Sequence, residues 1–221
     1  LIRYFRMNEG GTDYIDIPEV STPGDYSISL MVNTATTTQS AILSLFTNTA
    51  GEFLQLIISH DGGNANAIKL VSDGVTGGSG TIVVNDGVNH LITLEKVGNV
   101  FSLFVDGVLD YSVTHGNPAK LASNYFVVVG AARDITGGPL IRLVTGVLSD
   151  FTYTNAGALE RNYPINDNSS IIIDLVSGQD GSVINPAAGD WGLFKEQPTL
   201  WKGQDLTVPP WDSVDQELIK A

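Results

Sequence analysis

The sequence predicts an all-β fold, an antiparallel two-sheet jelly-roll-like sandwich with a C-terminal extension. Three observations carry that expectation. Short apolar runs rich in Val, Ile, Leu, Phe, Tyr and Thr recur about every ten residues between Gly, Asn and Asp clusters. Within the runs apolar and polar residues alternate with the period of two that a half-buried strand requires, and helical spacing is nearly absent. Turn signals join neighbouring runs, with Val97-Gly98-Asn99 and Asp106-Gly107 placed where tight hairpins close.

In chain order the expected strands are IRYFRM (2–7), DYIDI (13–17), DYSISLMV (25–32), AILSLF (41–46), EFLQLIIS (52–59), NAIKLVS (66–72) and GTIVVN (80–85). HLITLEK (90–96), NVFSLFVD (99–106) and VLDYSV (108–113) read as a three-stranded meander, followed by NYFVVVGA (124–131) and TGVLSDFTYT (145–154). In DYSISLMV, Tyr26, Ile28, Leu30 and Val32 share one face and Asp25, Ser27 and Ser29 the other. About a dozen strands exceed what one twisted open sheet holds, so two packed sheets follow.

Composition changes near residue 160. The remainder holds five of the nine prolines and all three tryptophans, and strand patterning thins to SIIIDLV (170–176) and GSVIN (181–185). We expect a sandwich over 1–160, an extension of about two strands over 161–194 that packs back on it, and a docking tail over 195–221. That tail ends in a short helix beginning at Asp212 or Ser213. Trp201, Pro209, Pro210 and Trp211 are its candidate partner-docking residues.

The chain of 221 residues carries 11 basic and 24 acidic side chains, a net charge of -13. So acidic a surface repels phosphate backbones, and no Lys/Arg cluster offers the counterion-releasing contacts nucleic acid demands. With no cysteine there is neither disulfide nor thiolate chemistry, and no apolar run approaches the ~20 residues of a membrane-spanning helix. The chain begins at Leu1 without a signal-peptide pattern, so its native start is expected to lie elsewhere.

Catalytic chemistry finds little footing. No Gly-x-Ser-x-Gly elbow is present, and His60, His90 and His115 fall in or beside separate loops with no zinc-ligand spacing. Among strand acids, Asp13 and Asp16 differ by three positions and point to opposite faces, while Asp106 and Asp110 bracket a turn. Tyr14, Tyr111, Tyr125 and Tyr153 are expected to pack within their strands. Sugar recognition combines aromatic faces with polar loop groups. The loops HDGGNAN (60–66), SDGVTGGSG (72–80) and AARDITGGP (131–139) supply Asp61, Asn64, Asn66, Asp73, Arg133 and Asp134 as candidates at one rim.

Three segments carry a family resemblance: MNEGGTDYIDIP (7–18), NDGVNHLITLEKVGNVFSLFVDGVLDYSV (85–113) and GVLSDFTYTNAGAL (146–159). In this order they resemble the opening strand pair, the central hairpin and the closing strand of laminin-G-like, concanavalin A-like lectin/glucanase domains. Asn89 stands where that family usually has Trp, Ser149 replaces the first acid of the closing pair, and Ala156-Gly157 stands in place of a basic residue. YPINDNSSIIIDLVSGQDGSVINPAAGDW (163–191) is similar to a segment that in the family precedes the opening pair.

The resemblance implies calcium held by loop oxygens, with Asp150, matching the second acid of the closing pair, as the best ligand and Asn8 and Glu9 as companions. The Glu-x-Asp-x-x-Glu strand of the family's glucanases is absent, the seven glutamates being scattered singly. The expected function is therefore non-enzymatic recognition or adhesion, binding a glycan, a surface polysaccharide or a neighbouring protein subunit on a phage virion or bacterial surface. A purely structural virion subunit and a glycan-cleaving enzyme are the alternatives.

Overall fold

The computed structural model describes residues 2–7, 13–20, 24–49, 52–58, 64–72, 78–116, 124–133, 139, 141–165, 171–184 and 191–194. These form fifteen strands in two sheets. The eight-stranded sheet contains β1 (Ile2–Met7), β3 (Tyr26–Asn33), β7 (Asn89–Val97), β8 (Val100–Val105), β9 (Val108–Thr114), β11 (Gly146–Asn155), β12 (Ala158–Tyr163) and β15 (Trp191–Phe194). Its order is β15-β1-β11-β3-β7-β8-β9, with β12 also pairing β11. The seven-stranded sheet contains β2 (Tyr14–Val20), β4 (Ser40–Phe46), β5 (Phe53–Ile58), β6 (Ile68–Ser72), β10 (Tyr125–Val129), β13 (Ile171–Ile172) and β14 (Gly181–Ile184). Its order is β13-β14-β2-β10-β4-β5-β6, and every pairing in both sheets is antiparallel.

The core lies between the sheets. From the eight-stranded sheet come Tyr26, Ile28, Leu30, Val32, Ile92, Leu94, Phe101, Leu103, Leu148, Phe151 and Tyr153. From the other come Ile15, Ile17, Leu43, Leu45, Leu54, Leu56, Ile68, Leu70, Val127 and Val129. These are the alternate positions that the period of two assigns to one face. The meander closes as its turn residues dictate, with Gly98 at φ 55°, Asp106 at φ 52° and Gly107 at φ 78°.

Two elements escape the sequence patterning and one expected strand is absent. β12 follows β11 through a tight turn at Ala156 (φ 47°) and Gly157 (φ 80°), but its own residues, ALERNY, do not alternate in the expected way. β15 pairs β1 from far along the chain. Residues 80–85 form no strand. The Asp110 carboxylate takes the backbone N–H groups of Thr81 (2.7 Å) and Ile82 (3.0 Å), donors that a ladder would use. A side chain at Gly80 would collide with that carboxylate, so glycine here lets the segment lie against β9 without displacing Asp110.

Residues beyond 160 contribute to both sheets. β14 pairs β2 through Ser182↔Asp16, Val183↔Ile15 and Ile184↔Tyr14. Asp174, buried beside β12, ties the intervening turn down. It accepts the N–H groups of Asn162 (2.9 Å), Val176 (3.1 Å) and Ser177 (3.1 Å) and the Ser177 hydroxyl. Burial pushes its carboxyl up, but the Ser177 hydroxyl and these three N–H donors together outweigh burial and hold it below the usual carboxylate value. The expected terminal helix and the docking residues Trp201, Pro209, Pro210 and Trp211 lie outside the described residues.

Candidate functional site

The face of the seven-stranded sheet turned away from the core carries a second layer. Strand register sets Ser182, Asp16, Val128, Ser44, Gln55 and Val71 side by side across it. Beside this row Phe126, Phe46 and Phe53 form a run of aromatic side chains, with Phe46 and Phe126 stacked at 5.9 Å. The segment following β10 folds over this face. Ala131 and Leu143 join Tyr14, Phe46, Val128, Phe53, Phe126 and Ile184, while Ala132 and Ile141 join Ala41, Ile57 and Val71.

Polar groups in the sheet hold that cover. Ser44 and Gln55, both fully buried, serve the backbone of Arg133: Ser44 Oγ donates to its carbonyl (2.8 Å) and accepts its N–H (3.2 Å), and Gln55 Nε2 donates to the same carbonyl (3.4 Å). Arg142 is spent on the scaffold, its Nε donating to Gln39 Oε1 (3.0 Å) and a terminal nitrogen to Gln55 Oε1 (3.4 Å).

The Arg133 side chain is not spent. Its guanidinium carbon lies 5.7 Å from the ring centres of both Tyr14 and Phe46, in cation–π range. Its Nε is buried without a hydrogen-bond partner, and among the described residues the guanidinium meets no carboxylate within ion-pair distance. Asp16 is half-buried on the same face; burial raises its carboxyl above the ordinary value, and the positive charge of Arg133 opposes that rise. Aromatic faces, a guanidinium without an ion-pair partner and a carboxylate thus meet on the outward side of the sheet, where Tyr14 and Phe46 are buried beneath the covering segment and Phe53, Phe126, Asp16 and Arg133 are half-buried.

Other polar clusters serve the scaffold, although Asp110 Oδ2 and Arg161 Nε are, like Arg133 Nε, buried without a hydrogen-bond partner. His90, buried at the start of β7, places Nδ1 2.8 Å from Asp106 Oδ2 and Nε2 3.1 Å from Asp86 Oδ1. Asp106 also accepts the Leu91 N–H and Asp86 the Val88 N–H, so this group locks the β8–β9 turn to the entry of β7. His115 packs edge-on against Phe101.

Of the expected sugar-binding residues, Asn64, Asn66 and Arg133 are among those described, and they do not form one cluster. Asn64 Nδ2 donates to the Thr81 carbonyl (3.4 Å) and Asn66 Oδ1 accepts from Asn85 (3.3 Å), tying down the 80–85 segment; they share no partner with Arg133. Although β6 starts and β10 ends at the same end of the sheet, the chain after β10 turns back over the face and carries Arg133 off the rim. Asp61, Asp73 and Asp134 lie outside the described residues.

Tyr125 and Tyr153 are core residues as expected, and Tyr111 accepts the Gly78 N–H (2.6 Å). Tyr14 differs: it is well covered, but on the non-core face beneath Arg133. Period-two alternation with Ile15 and Ile17 was the signal that it points outward.

Asp150 stands at φ 53° where the β3–β11 register shifts, exposed and opposite in sense to buried Phe151 and Tyr153. Neighbouring chain raises its carboxyl and the hydrogen bond from Ser149 Oγ (3.0 Å) opposes this, an upward effect that its solvent exposure limits. Asn8 and Glu9, its expected companions, lie outside the described residues, and among the described residues no three His, Cys, Asp or Glu side chains converge as metal ligands.

Two face-to-face antiparallel sheets with this connectivity define a lectin-type β-sandwich. The family profile described as the concanavalin A-like lectin/glucanases superfamily (Laminin_G_3) matches residues 9–158, and the chain belongs to that family. No curated protein sequence matches it. Among solved structures it is similar to "a putative carbohydrate binding protein" from Bacteroides ovatus ATCC 8483 at 11% identity and a TM-score of 0.60. That match covers 83% of this chain and 58% of the other, so the chain spans little more than half of that protein. Domains LG4-5 of the mouse laminin alpha1 chain match at 14% identity and a TM-score of 0.57, covering 79% and 47%. Domain 4 of the extracellular arabinanase AbnA from Geobacillus stearothermophilus, in complex with arabinotriose, matches at 15% identity and a TM-score of 0.51, covering 67% and 68%.

Proposed function

We propose that the chain is a non-enzymatic glycan-recognition module whose binding face is the outward side of the seven-stranded sheet around Arg133. The observation that carries this reading is the pair of half-exposed rings Phe53 and Phe126 beside a guanidinium that lies on the buried rings of Tyr14 and Phe46 and has no ion-pair partner among the described residues. Sugar rings dock their C–H faces on aromatic side chains and their polar groups on a few fixed donors. The carbohydrate-binding description of one structural neighbour and the arabinotriose bound to another support the same reading. Glycoside hydrolysis needs two carboxylates about 5–9.5 Å apart. Asp106, Asp110 and Asp174 are instead occupied with backbone N–H groups of their own turns.

Calcium, held through Asp150 with Asn8 and Glu9, belongs to the proposal and rests on the family resemblance, as does display on a phage virion or bacterial surface. A glycan array probed with and without EDTA tests recognition and calcium together. Retention of glycans supports the module and silence under both conditions overturns it; retention that survives EDTA unchanged overturns calcium alone. Turnover of a retained polysaccharide overturns the non-enzymatic reading.

One observation favours a second role in docking a neighbouring subunit. Ile171, Ile173, Leu175 and Val176 are exposed within the 171–176 segment, an apolar strip on the extension. Light scattering of wild type against Ile173→Asp and Leu175→Asp reads it out: loss of an oligomer supports docking, and an unchanged monomer excludes self-docking through this strip.

A further inference from the structure

The outward face distinguishes two arginines, and the distinction names a ligand class. Arg142 satisfies its guanidinium with Gln39 and Gln55, so the scaffold has acceptors within reach where it needs them. Arg133, nine residues earlier in the same cover, has its backbone fixed by Ser44 and Gln55 and its side chain laid on Tyr14 and Phe46; its Nε is closed off from solvent, and its two terminal nitrogens remain reachable and have no acceptor among the described residues. This happens in a chain with 24 acidic residues, where an internal carboxylate partner for an arginine is easy to supply. A guanidinium laid on ring faces presents its outer edge, the two terminal nitrogens, in a restricted plane, the geometry that matches a carboxylate bidentately.

We propose that Arg133 is a carboxylate-recognition residue and that the face binds uronic-acid-containing glycans, the sugar carboxylate meeting the Arg133 fork and the ring C–H groups resting on Phe53 and Phe126. This deepens the glycan reading and rests on it. Asp16 shares the face and opposes an anionic ligand, so it tunes the affinity downward and favours ligands whose carboxylate engages Arg133 directly.

The test is calorimetric titration of the full chain with oligogalacturonate and oligoalginate, each matched to its carboxyl-reduced neutral counterpart, with a hexaglutamate peptide as a further probe. Expected is at least tenfold tighter binding of one oligouronate than of its reduced twin, a preference lost in Arg133→Gln and weakened by rising salt. Arg133→Lys keeps the charge without the planar fork and is expected to retain only part of the preference, while Asp16→Asn strengthens uronate binding about two- to fivefold by removing a like charge. Thermal melts of each variant separate loss of binding from loss of fold, and the lysine variant carries the test if the glutamine variant unfolds. Equal binding of acidic and neutral twins overturns the carboxylate assignment and leaves glycan binding standing. Hexaglutamate binding as tight as the oligouronate overturns the sugar specificity. Binding of neither twin, with silence on the array, overturns the glycan reading as well.

Discussion

The outward faces of the two sheets are built on opposite principles. On the eight-stranded sheet, β3 and β7 alternate buried with half-buried residues, and the outward positions are mostly polar, Ser27, Ser29, Asn33, Asn89, Thr93 and Glu95, with Met31 and Leu91 paired among them. Their hydroxyls pair across strands, Ser29 with Thr93 at 3.0 Å and Ser102 with Ser112 at 3.3 Å, as on any solvated sheet face. On the seven-stranded sheet, β4 is buried at every position and β5 at all but one. The middle of that sheet is buried on both sides, with Ser44 and Gln55 among the covered residues, which a single core does not require. The difference teaches where selection for something other than folding acts: one face is finished by water, the other by a tethered segment that presents a cation on aromatic rings.

The sharpest way to break this comparison is to remove the ring that both anchors the cover and underlies Arg133. Phe46 is 1% exposed and packs on Phe126, so Phe46→Ala is expected to cost about 3–5 kcal/mol in urea unfolding. A loss below about 1 kcal/mol means the second layer is not packed as described.

Asp174 tests whether the extension is part of the covered face, since β14 lends Ser182 and Ile184 to it. In Asp174→Asn an amide nitrogen replaces an oxygen. If it takes the place of Oδ2, it faces the Ser177 N–H and hydroxyl that Oδ2 accepts. Losing hydrogen bonds to a charged group is expected to cost about 1.5–3 kcal/mol at pH 7. Because the folded-state carboxyl lies below its unfolded value of about 3.9, the ionised group contributes stability above that pH and loses it as pH falls through the folded value. Wild type should therefore lose more stability than the asparagine variant on acidification from about pH 5 into that window. Parallel acid curves for the two exclude Asp174 as the tie.

Ser44→Ala removes a hydroxyl that both donates to and accepts from the Arg133 backbone inside a dry layer, so about 1–2 kcal/mol is expected. The same variant should raise proteolytic cleavage within 131–145, and unchanged cleavage would show that the segment is held without Ser44.

How much of this was legible follows from which contacts are local. The eight-stranded face could be read from DYSISLMV and HLITLEK because a strand with one wet side writes its burial directly into alternation. The hairpin at Asp106-Gly107 was equally plain, since positive φ is written in residue type. AILSLF and EFLQLIIS also read as half-buried strands, but the structure buries both of their faces, because what covers the outward one comes from about ninety residues further along the chain. Arg133 is visible as a candidate and the alternation of Tyr14 with Ile15 and Ile17 gives that ring's outward direction, but nothing local in the sequence sets Phe46 apart from a core aromatic or brings Arg133 over either ring. GTIVVN misled because strand patterning does not reveal that Asp110, far along the chain, takes its N–H groups. β12 was missed because ALERNY spends its polar residues on buried contacts, Arg161 Nη2 donating to Gln179 Oε1 at 2.7 Å.

The smallest expected effect is the control on which the contrast depends. Thr93→Val exchanges a half-buried hydroxyl on the eight-stranded face for a methyl of similar shape, breaking the Ser29 pair but leaving water free to satisfy Ser29. Valine is also a good strand residue, so the change should stay within about 0.5 kcal/mol of wild type. A loss above about 1.5 kcal/mol would mean that this face, too, is sealed against water, because only a dry environment makes one missing hydroxyl that costly. The asymmetry that singles out the Arg133 face would then disappear, and both sheets would have to be searched for the ligand.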